Sequence, residues 1–404
     1  MTTVDITTTL PTVDWTHDRD LGLHGELIAR TTAQREAAWG AFSPRGLEVL
    51  RYAEATKILR GKAYRLPYDG LAERSGIFPS DGWFYEHVTE NLLGMTGSTH
   101  VRVRGLLVDY FSARRVGAFR PEIEGAVETV AADLGDVAHF DLAKEICLRA
   151  PSVMFCRMNR LPDSIAPTLV RWSEDVSHIF YGDPSKRKVM LAAAAELRTY
   201  SEELLTEREA RPVDDLFSYL LEKRATGQMT REEVAHMFGL LLEASNDNVG
   251  NQLGATMIHL LEDPTRWERI VADPSCIPAA TEEAMRLSPR GGMHNRIATE
   301  ATILNGVEIP EGTWISVCAF AANRDPRGMS DPDEFKMDRE EKRYNLQFGG
   351  GPHRCLGAFL AAFEINATIE TLARLYPRMR LAGPPVWELS ARAALVESIP
   401  VSVG

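Results

Sequence analysis

The 404-residue chain predicts a mainly α fold with a minor β portion, organised as a single domain over residues 1–404 with an irregular N-terminal segment at 1–20. Three observations carry this expectation. Apolar residues recur at three- and four-residue spacing through long segments whose Pro and Gly stand at the edges, which is the pattern of amphipathic helices. Strand signals are sparse and lie late in the chain, and no internal repeat, low-complexity tract or Gly/Ser/Pro-rich linker divides it. With 44% apolar and 25% charged residues, the chain can bury a sizeable core without disulfide or metal staples.

The elements follow in order. Residues 66–91 read as irregular and contain three adjacent aromatics, Trp83-Phe84-Tyr85. Residues 121–134, 188–208 and 230–261 carry helical periodicity. The last of these is the best defined. Thr230 and Glu233 form a capping box, and Glu262-Asp263-Pro264 closes the far end, so the helix spans roughly 50 Å at about 1.5 Å per residue. A helix of that length crosses the core. Midway it is interrupted by Ser245-Asn246-Asp247-Asn248, and consecutive residues cannot share one face of a 3.6-residue helix. The alternative is a solvent-facing polar stripe. Residues 301–309 read as a hairpin with Asn305-Gly306 at its turn, followed by a strand at 314–320. Residues 358–375, rich in Ala, Leu, Glu and Phe, read as a final long helix.

Charge and composition exclude several functions. A net charge of −12 with no basic domain or tail argues against a general nucleic-acid binder. The Thr- and Asp-rich N-terminus lacks the apolar core of a signal peptide or membrane anchor, and no run approaches the roughly 18 apolar residues of a spanning helix. Cysteines 147, 156, 276, 318 and 355 are odd in number, scattered and free of C-x-x-C spacing. This excludes a disulfide framework or zinc site and fits a reducing cytoplasm, the expected location.

The most informative stretch is Phe348-Gly-Gly-Gly-Pro-His-Arg-Cys-Leu-Gly357. Its glycines let backbone wrap closely around one sulfur. The helix that follows puts Cys355 at or just before a positive dipole end, where thiolate is favoured over thiol. A thiolate offered from such a loop, with no second cysteine nearby, suits a single axial bond to haem iron. The alternative is a buried, inert cysteine.

The pattern Phe-x-x-Gly-x-x-x-Cys-x-Gly, complete here with Phe348, Gly351, Cys355 and Gly357, resembles the haem-binding loop of the cytochromes P450. Further segments resemble the same family in the right order, together covering roughly residues 40–400. Glu283-Ala-Met-Arg286 matches its Glu-x-x-Arg, and the segment from Asp331 to Arg339 its supplier of a second arginine. Glu283, Arg286 and Arg339 are read as a structural network holding the cysteine loop. Taken alone, Glu283 and Arg286 could equally be a surface ion pair. His100 and Arg104 lie one helical turn apart and can donate to one anionic group. With Arg296 and His353 they stand where the family contacts the haem propionates. His100 and His353 are also conceivable iron ligands, but an axial thiolate leaves one position, which the family keeps for dioxygen.

Ala244-Ser245-Asn246-Asp247-Asn248 resembles the family's Ala-Gly-x-Asp/Glu-Thr, the segment of the long central helix that lies over the haem and relays protons during dioxygen activation. Ser245 replaces the usual Gly and Asn248 the usual Thr. An amide is not a hydroxyl and relays protons poorly. Asp247 keeps the acid, and water, Asn248 or a substrate hydroxyl could replace the missing alcohol. For the substrate pocket, Phe84 and Tyr85 are candidates, although adjacent aromatics are as well explained by packing. Leu92, Met293 and Leu395 are added, and Gly291-Gly292 implies extra room. Glu243 facing the cavity would be costly without a polar or cationic partner; otherwise it is paired on a neighbouring helix.

The resemblance implies a haem-thiolate monooxygenase carrying haem b on Cys355. Its electrons would come from an external ferredoxin or flavodoxin with an NAD(P)H-dependent reductase, and it would oxidise a small organic molecule of secondary metabolism or a xenobiotic. Two alternatives are oxidative coupling or desaturation by the same haem without oxygen insertion, and a non-catalytic haem sensor or carrier.

Overall fold

In the computed structural model, residues 9–180, 183–341 and 343–404 are described, so residues 1–8 of the expected irregular N-terminal segment lie outside them. The rest of that segment is irregular up to a short turn of helix at Asp18–Leu21. Helices dominate, with four small sheets among the described residues.

The chain divides into two compact units. One comprises residues 1–67, 255–358 and 385–397; the other comprises 68–254, 359–384 and 398–404. The first unit holds the largest sheet, ordered Gly40–Ser43, Gly46–Val49, Trp314–Cys318, Met293–Ala298 and Tyr64–Arg65. Gly46–Val49 runs parallel to Trp314–Cys318 with Leu47 opposite Ile315 and Val49 opposite Val317. These apolar pairs meet Ile58, Leu59, Val307 and Ile309 in one buried cluster. The hairpin expected at 301–309 is present as Thr302–Leu304 and Val307–Ile309. Asn305 (φ 49°) and Gly306 (φ 78°) supply the two positive φ values that a tight primed turn needs.

Strands are not confined to the late part of the chain. Gly40–Ser43 and Gly46–Val49 form an early hairpin that the sequence reading missed, because four-residue strands carry too little alternation to stand out.

The second unit is built from helices, among them Gly82–Glu90, Gly97–Val108, Arg120–Ala132, Ala150–Met158, Ala166–Ser177, Arg187–Ala210 and Arg231–Ala244, with a three-stranded sheet ordered His139–Asp141, Pro400–Ser402 and Arg380–Leu381. The helix expected at 121–134 is Arg120–Ala132, and that at 188–208 is Arg187–Ala210. Trp83, Phe84 and Tyr85, expected in an irregular stretch, belong to the Gly82–Glu90 helix. It buries Phe84, His87 and Val88 at i, i+3 and i+4. A histidine in the apolar stripe hid that period.

The helix expected to run unbroken over 230–261 is two, Arg231–Ala244 and Asp247–Leu261. Its start is as expected: Thr230 Oγ1 accepts from Glu233 N–H at 3.1 Å, and Thr230 N–H donates to Glu233 Oε2 at 2.9 Å. The break has a local cause. Ser245 Oγ donates to Leu241 O at 2.7 Å and Asn246 Nδ2 to Leu242 O at 2.9 Å, so side chains take carbonyls that backbone N–H groups would otherwise use. Ser173 bridges the gap, donating its hydroxyl to Glu243 O and accepting from Asp247 N–H at 3.4 Å. No solvent-facing stripe results, since Asn246 and Asp247 are buried and Asn248 is exposed.

Among the described residues no helix is long and apolar enough to cross a membrane.

Candidate active site

Cys355 lies three residues before the Ala358–Leu375 helix, in the loop the sequence singled out. Its N–H donates to Phe348 O at 2.9 Å, closing the loop on itself. Gly349 and Gly351 take φ values of 69° and 66°, open to glycine at little cost. At Gly351 a Cβ would also stand 2.5 Å from Leu59 O, so the loop rests directly on backbone. At Gly357 an added Cβ meets nothing within 4 Å. Cys355 is exposed, whereas Cys147, Cys156, Cys276 and Cys318 are buried. Burial pushes the thiols of Cys156 and Cys318 up to about 12 and those of Cys147 and Cys276 upward as well. The reading of Cys355 as an inert buried cysteine is thereby excluded. A single exposed sulfur on a glycine-shaped loop fits a residue that would hold a haem iron as thiolate. No cluster of three or more His, Cys, Asp and Glu competes for a metal among the described residues.

The Glu283 network supports this loop from within the same unit. Glu283 and Arg286 are 4% and 6% exposed, which excludes a surface ion pair. Arg286 Nε and Nη2 each donate to a different Glu283 oxygen at 2.8 Å, Arg339 Nε donates to Oε1 at 2.9 Å, and Lys336 N–H adds a fourth bond at 3.1 Å. Burial pushes the carboxyl up, but the Arg286 bond and charge, with the Lys336 and Arg339 bonds, hold it below the usual range. Arg286 Nη1 continues to Asn323 O at 3.3 Å. The Asn323 amide donates to Asn345 Oδ1 at 2.9 Å and accepts from Leu346 N–H at 3.0 Å. Two asparagines thus carry the network to the start of the cysteine loop; nothing in their spacing announces this.

Other expected residues of the first unit lie close to that loop in the chain or in space. His294 bonds Leu346 O at 2.7 Å, and Arg296, two residues on, is 3% exposed. His353 is half-buried beside the cysteine. The expectation of extra room at Gly291-Gly292 is corrected. A Cβ at Gly291 would lie 2.4 Å from Gln347 O, and one at Gly292 2.3 Å from Ala391 O. Gly292 N–H donates to Arg392 O at 2.7 Å. The missing side chains admit neighbouring backbone and leave no space for a ligand. Met293 is buried and Leu395 half-buried.

In the second unit, His100 is 3% exposed on the Gly97–Val108 helix, with Arg104 one turn on. Burial, and then the charge of Arg104, push the His100 ring below its ordinary pKa. It is neutral at pH 7 and donates one N–H without adding charge. Ala244 ends its helix, and Asn248 Nδ2 reaches back to Ala244 O at 3.4 Å. Asp247 is 7% exposed, with its Oδ1 accepting from Asn251 Nδ2 at 2.5 Å. Phe84 and Leu92 are buried and Tyr85 half-buried. Glu243 Oε2 lies 3.5 Å from Nε2 of buried His87, on a neighbouring helix as one reading anticipated, but without a hydrogen bond. Glu364 was also missed. Burial pushes its carboxyl well above the usual range, and it lines a small cavity with Val249 and Leu253.

The cytochrome P450 family model matches residues 276–376, the span holding the Glu283 network and Cys355. The chain is 31% identical to cytochrome P450 107B1 of Saccharopolyspora erythraea over 78% of this chain and 77% of that protein. It is 29% identical to luteothin monooxygenase of Streptomyces thioluteus over 92% and 91%. Among solved structures, CxnD, a cytochrome P450 that forms a C–S bond in chuangxinmycin biosynthesis, superposes with a TM-score of 0.85 at 25% identity, covering 98% of each chain. The loop, its lone exposed sulfur and these likenesses agree: the chain belongs to the cytochrome P450 family and is a monooxygenase-type oxidoreductase that carries thiolate-ligated haem b.

Proposed function

We propose that this P450 oxidises a small organic molecule of bacterial secondary metabolism or a xenobiotic. Electrons reach it in the cytoplasm from a ferredoxin or flavodoxin and an NAD(P)H-dependent reductase, and residues 1–404 act as one catalytic domain. The observation that carries the reading is the exposed Cys355 in its glycine loop, set against four cysteines whose thiols burial keeps protonated. When bound, haem b supplies the activation of dioxygen and its transfer to substrate.

The chain's own residues have separable tasks in this reading. Phe348, Gly351 and Gly357 shape the loop around Cys355, and Glu283, Arg286 and Arg339 brace it. His100, Arg104, Arg296 and His353 hold the propionates, neutral His100 by hydrogen bonding and the arginines by charge. Ala244 permits close approach of its helix. Asp247 moves protons from the broken turn, where its backbone N–H is already committed to Ser173 and its Oδ1 to Asn251. Asn248 orients a water that its amide holds.

Purified protein should contain about one haem b per chain, and its reduced carbon-monoxide complex should absorb at the long wavelength typical of thiolate ligation. Cys355→Ala should lose that band, and retention of it would end the assignment. Asp247→Asn should slow product formation by roughly 10- to 10⁴-fold, the scale of a lost acid–base group, with haem content preserved. An unchanged rate would remove Asp247 from proton delivery.

A second reading, oxidative coupling or desaturation, is favoured by Asn248. A family threonine would offer a hydroxyl there, whereas the amide donates back to Ala244 O. The structurally similar CxnD forms a bond between carbon and sulfur. Product mass separates the readings: oxygen insertion adds one oxygen, and coupling or desaturation removes two hydrogens.

A further inference from the structure

Four buried polar atoms without a hydrogen-bond partner converge where the Gly82–Glu90 helix packs on Arg231–Ala244: both ring nitrogens of His87, Nδ1 of His236 and Oε2 of Glu243. His87 and His236 are 1% and 6% exposed. Native proteins rarely leave such atoms unmatched, and here they cluster within one layer. His87 enters that layer because residue 239 is glycine. A Cβ there would lie 2.7 Å from His87 Cε1. Trp83 covers the imidazole, its ring stacked at 4.9 Å and 7° from parallel, and the His236 ring centre lies 5.9 Å from that of His87.

A carboxylate stands near one nitrogen of each ring. Glu243 Oε2 stands 3.5 Å from His87 Nε2, and Glu90 Oε2 stands 3.9 Å from His236 Nε2. Both distances are too long for good hydrogen bonds, yet both favour a ring proton on Nε2. On a neutral ring that leaves a lone pair at Nδ1. Burial, with His87 beside it, pushes the His236 pKa to about 4, so that ring is neutral at pH 7. The unmatched set is therefore imidazole nitrogens and a carboxylate oxygen. It calls for a ligand with several N–H donors and a positive charge.

We propose that Glu243, His87 and His236 form a recognition site for an ammonium group of the substrate, with Glu243 as the counter-charge and the two Nδ1 atoms as acceptors. This rests on the oxidation of a small organic substrate proposed above and narrows its class to amine-bearing molecules. Glu243 stands immediately before Ala244 and four residues before Asp247, so a substrate anchored there meets the same broken turn that carries the proton-delivering acid.

The test uses haem-loaded enzyme and matched probes: arylalkyl amines with one to four methylenes, including tryptamine, against the corresponding alcohols, including tryptophol. Affinity is measured by calorimetry. At least one amine should bind 10-fold or more tightly than its alcohol, and Glu243→Gln should bring that ratio near 1 without loss of haem. The Soret band must not move to the position of a nitrogen-ligated iron; such a shift would show that the amine prefers the metal and would overturn the proposal. Equal binding, or no binding, across all pairs overturns it, as does a preference that survives Glu243→Gln. The carbon-monoxide band and NAD(P)H-dependent oxygen uptake are read on the same preparations. Loss of these in the native protein would sink the oxidation reading itself, whereas their presence without amine preference sinks only the ammonium site.

Discussion

Glu283 and Glu243 are both acids near the C-terminal ends of helices, and they use hydrogen bonding in opposite ways. Glu283 has both oxygens engaged by Arg286, Arg339 and the Lys336 N–H, and the arginines extend to the carbonyls of Pro332, Glu334 and Ser330. Glu243 keeps one oxygen unmatched beside imidazoles that are also unmatched. In the first cluster the carboxylate and both arginines also bond backbone groups, so its polarity appears as rigidity. In the second the capacity is retained, and only something outside the protein's own hydrogen-bond network can use it. Buried charge by itself does not distinguish scaffold from recognition; the state of its partners does.

The comparison breaks most readily at Arg286. Arg286→Ala removes two of the four bonds to Glu283 and leaves a buried carboxylate short of charge, at a cost of about 3–5 kcal/mol. Low soluble yield and poor haem content per chain are expected. Arg286→Lys should recover part of the loss, since an ammonium restores charge but not the two-pronged geometry. Normal haem loading and stability in the alanine variant would show that the cluster does not brace the loop.

An acid titration sharpens the comparison. His236 has a folded pKa near 4, below its unfolded value of 6.5, so between these values the unfolded chain binds more protons at this ring. Its contribution to stability is complete above pH 6.5 and declines as pH falls toward 4, by about 1.4 kcal/mol for each unit of separation. His294, near 4, adds to the decline in the same window, and His259, near 3, extends it further down. Glu283 adds a further decline below pH 4.5. Its carboxyl is held below 4.5, and its stabilisation is lost as pH drops through that depressed value. His236→Gln should flatten the stability profile between pH 6.5 and 4 in chemical denaturation. A profile parallel to that of the native protein would mean that the ring titrates normally and is not buried neutral.

The smallest effect belongs to Glu243→Gln. With no hydrogen bond at Oε2 to lose, the melting temperature should stay level or rise slightly, the behaviour of a binding site that holds unmet polarity. A fall of several degrees would make the His87–Glu243 contact a structural pair.

Much of this molecule was legible because it is local. The capping box at Thr230, the Asn305-Gly306 turn and the Ala358–Leu375 helix follow from short-range chemistry and stand where the residues predict them. The reading failed where a side chain's partner lies far along the chain. Gly291 and Gly292 looked like vacated space and are points of contact with residues 347 and 391. His87 masked the apolar face of its helix, and its partners at positions 236, 239 and 243 lie about 150 residues on. Polar residues at 245–248 were recognised as an interruption. The bridge across the break comes from Ser173, contributed by another helix.

The sequence by itself determined the family, the mainly α class and the acidic network, because each is written in residues of fixed spacing whose chemistry needs little context. Tertiary structure decided which cysteine is exposed, where the long helix breaks, that glycine pairs serve backbone contact, and which buried polar atoms lack partners. These are properties of distance between remote segments. Burial and hydrogen-bond satisfaction depend on what folding brings alongside a group, and composition and periodicity carry no record of it.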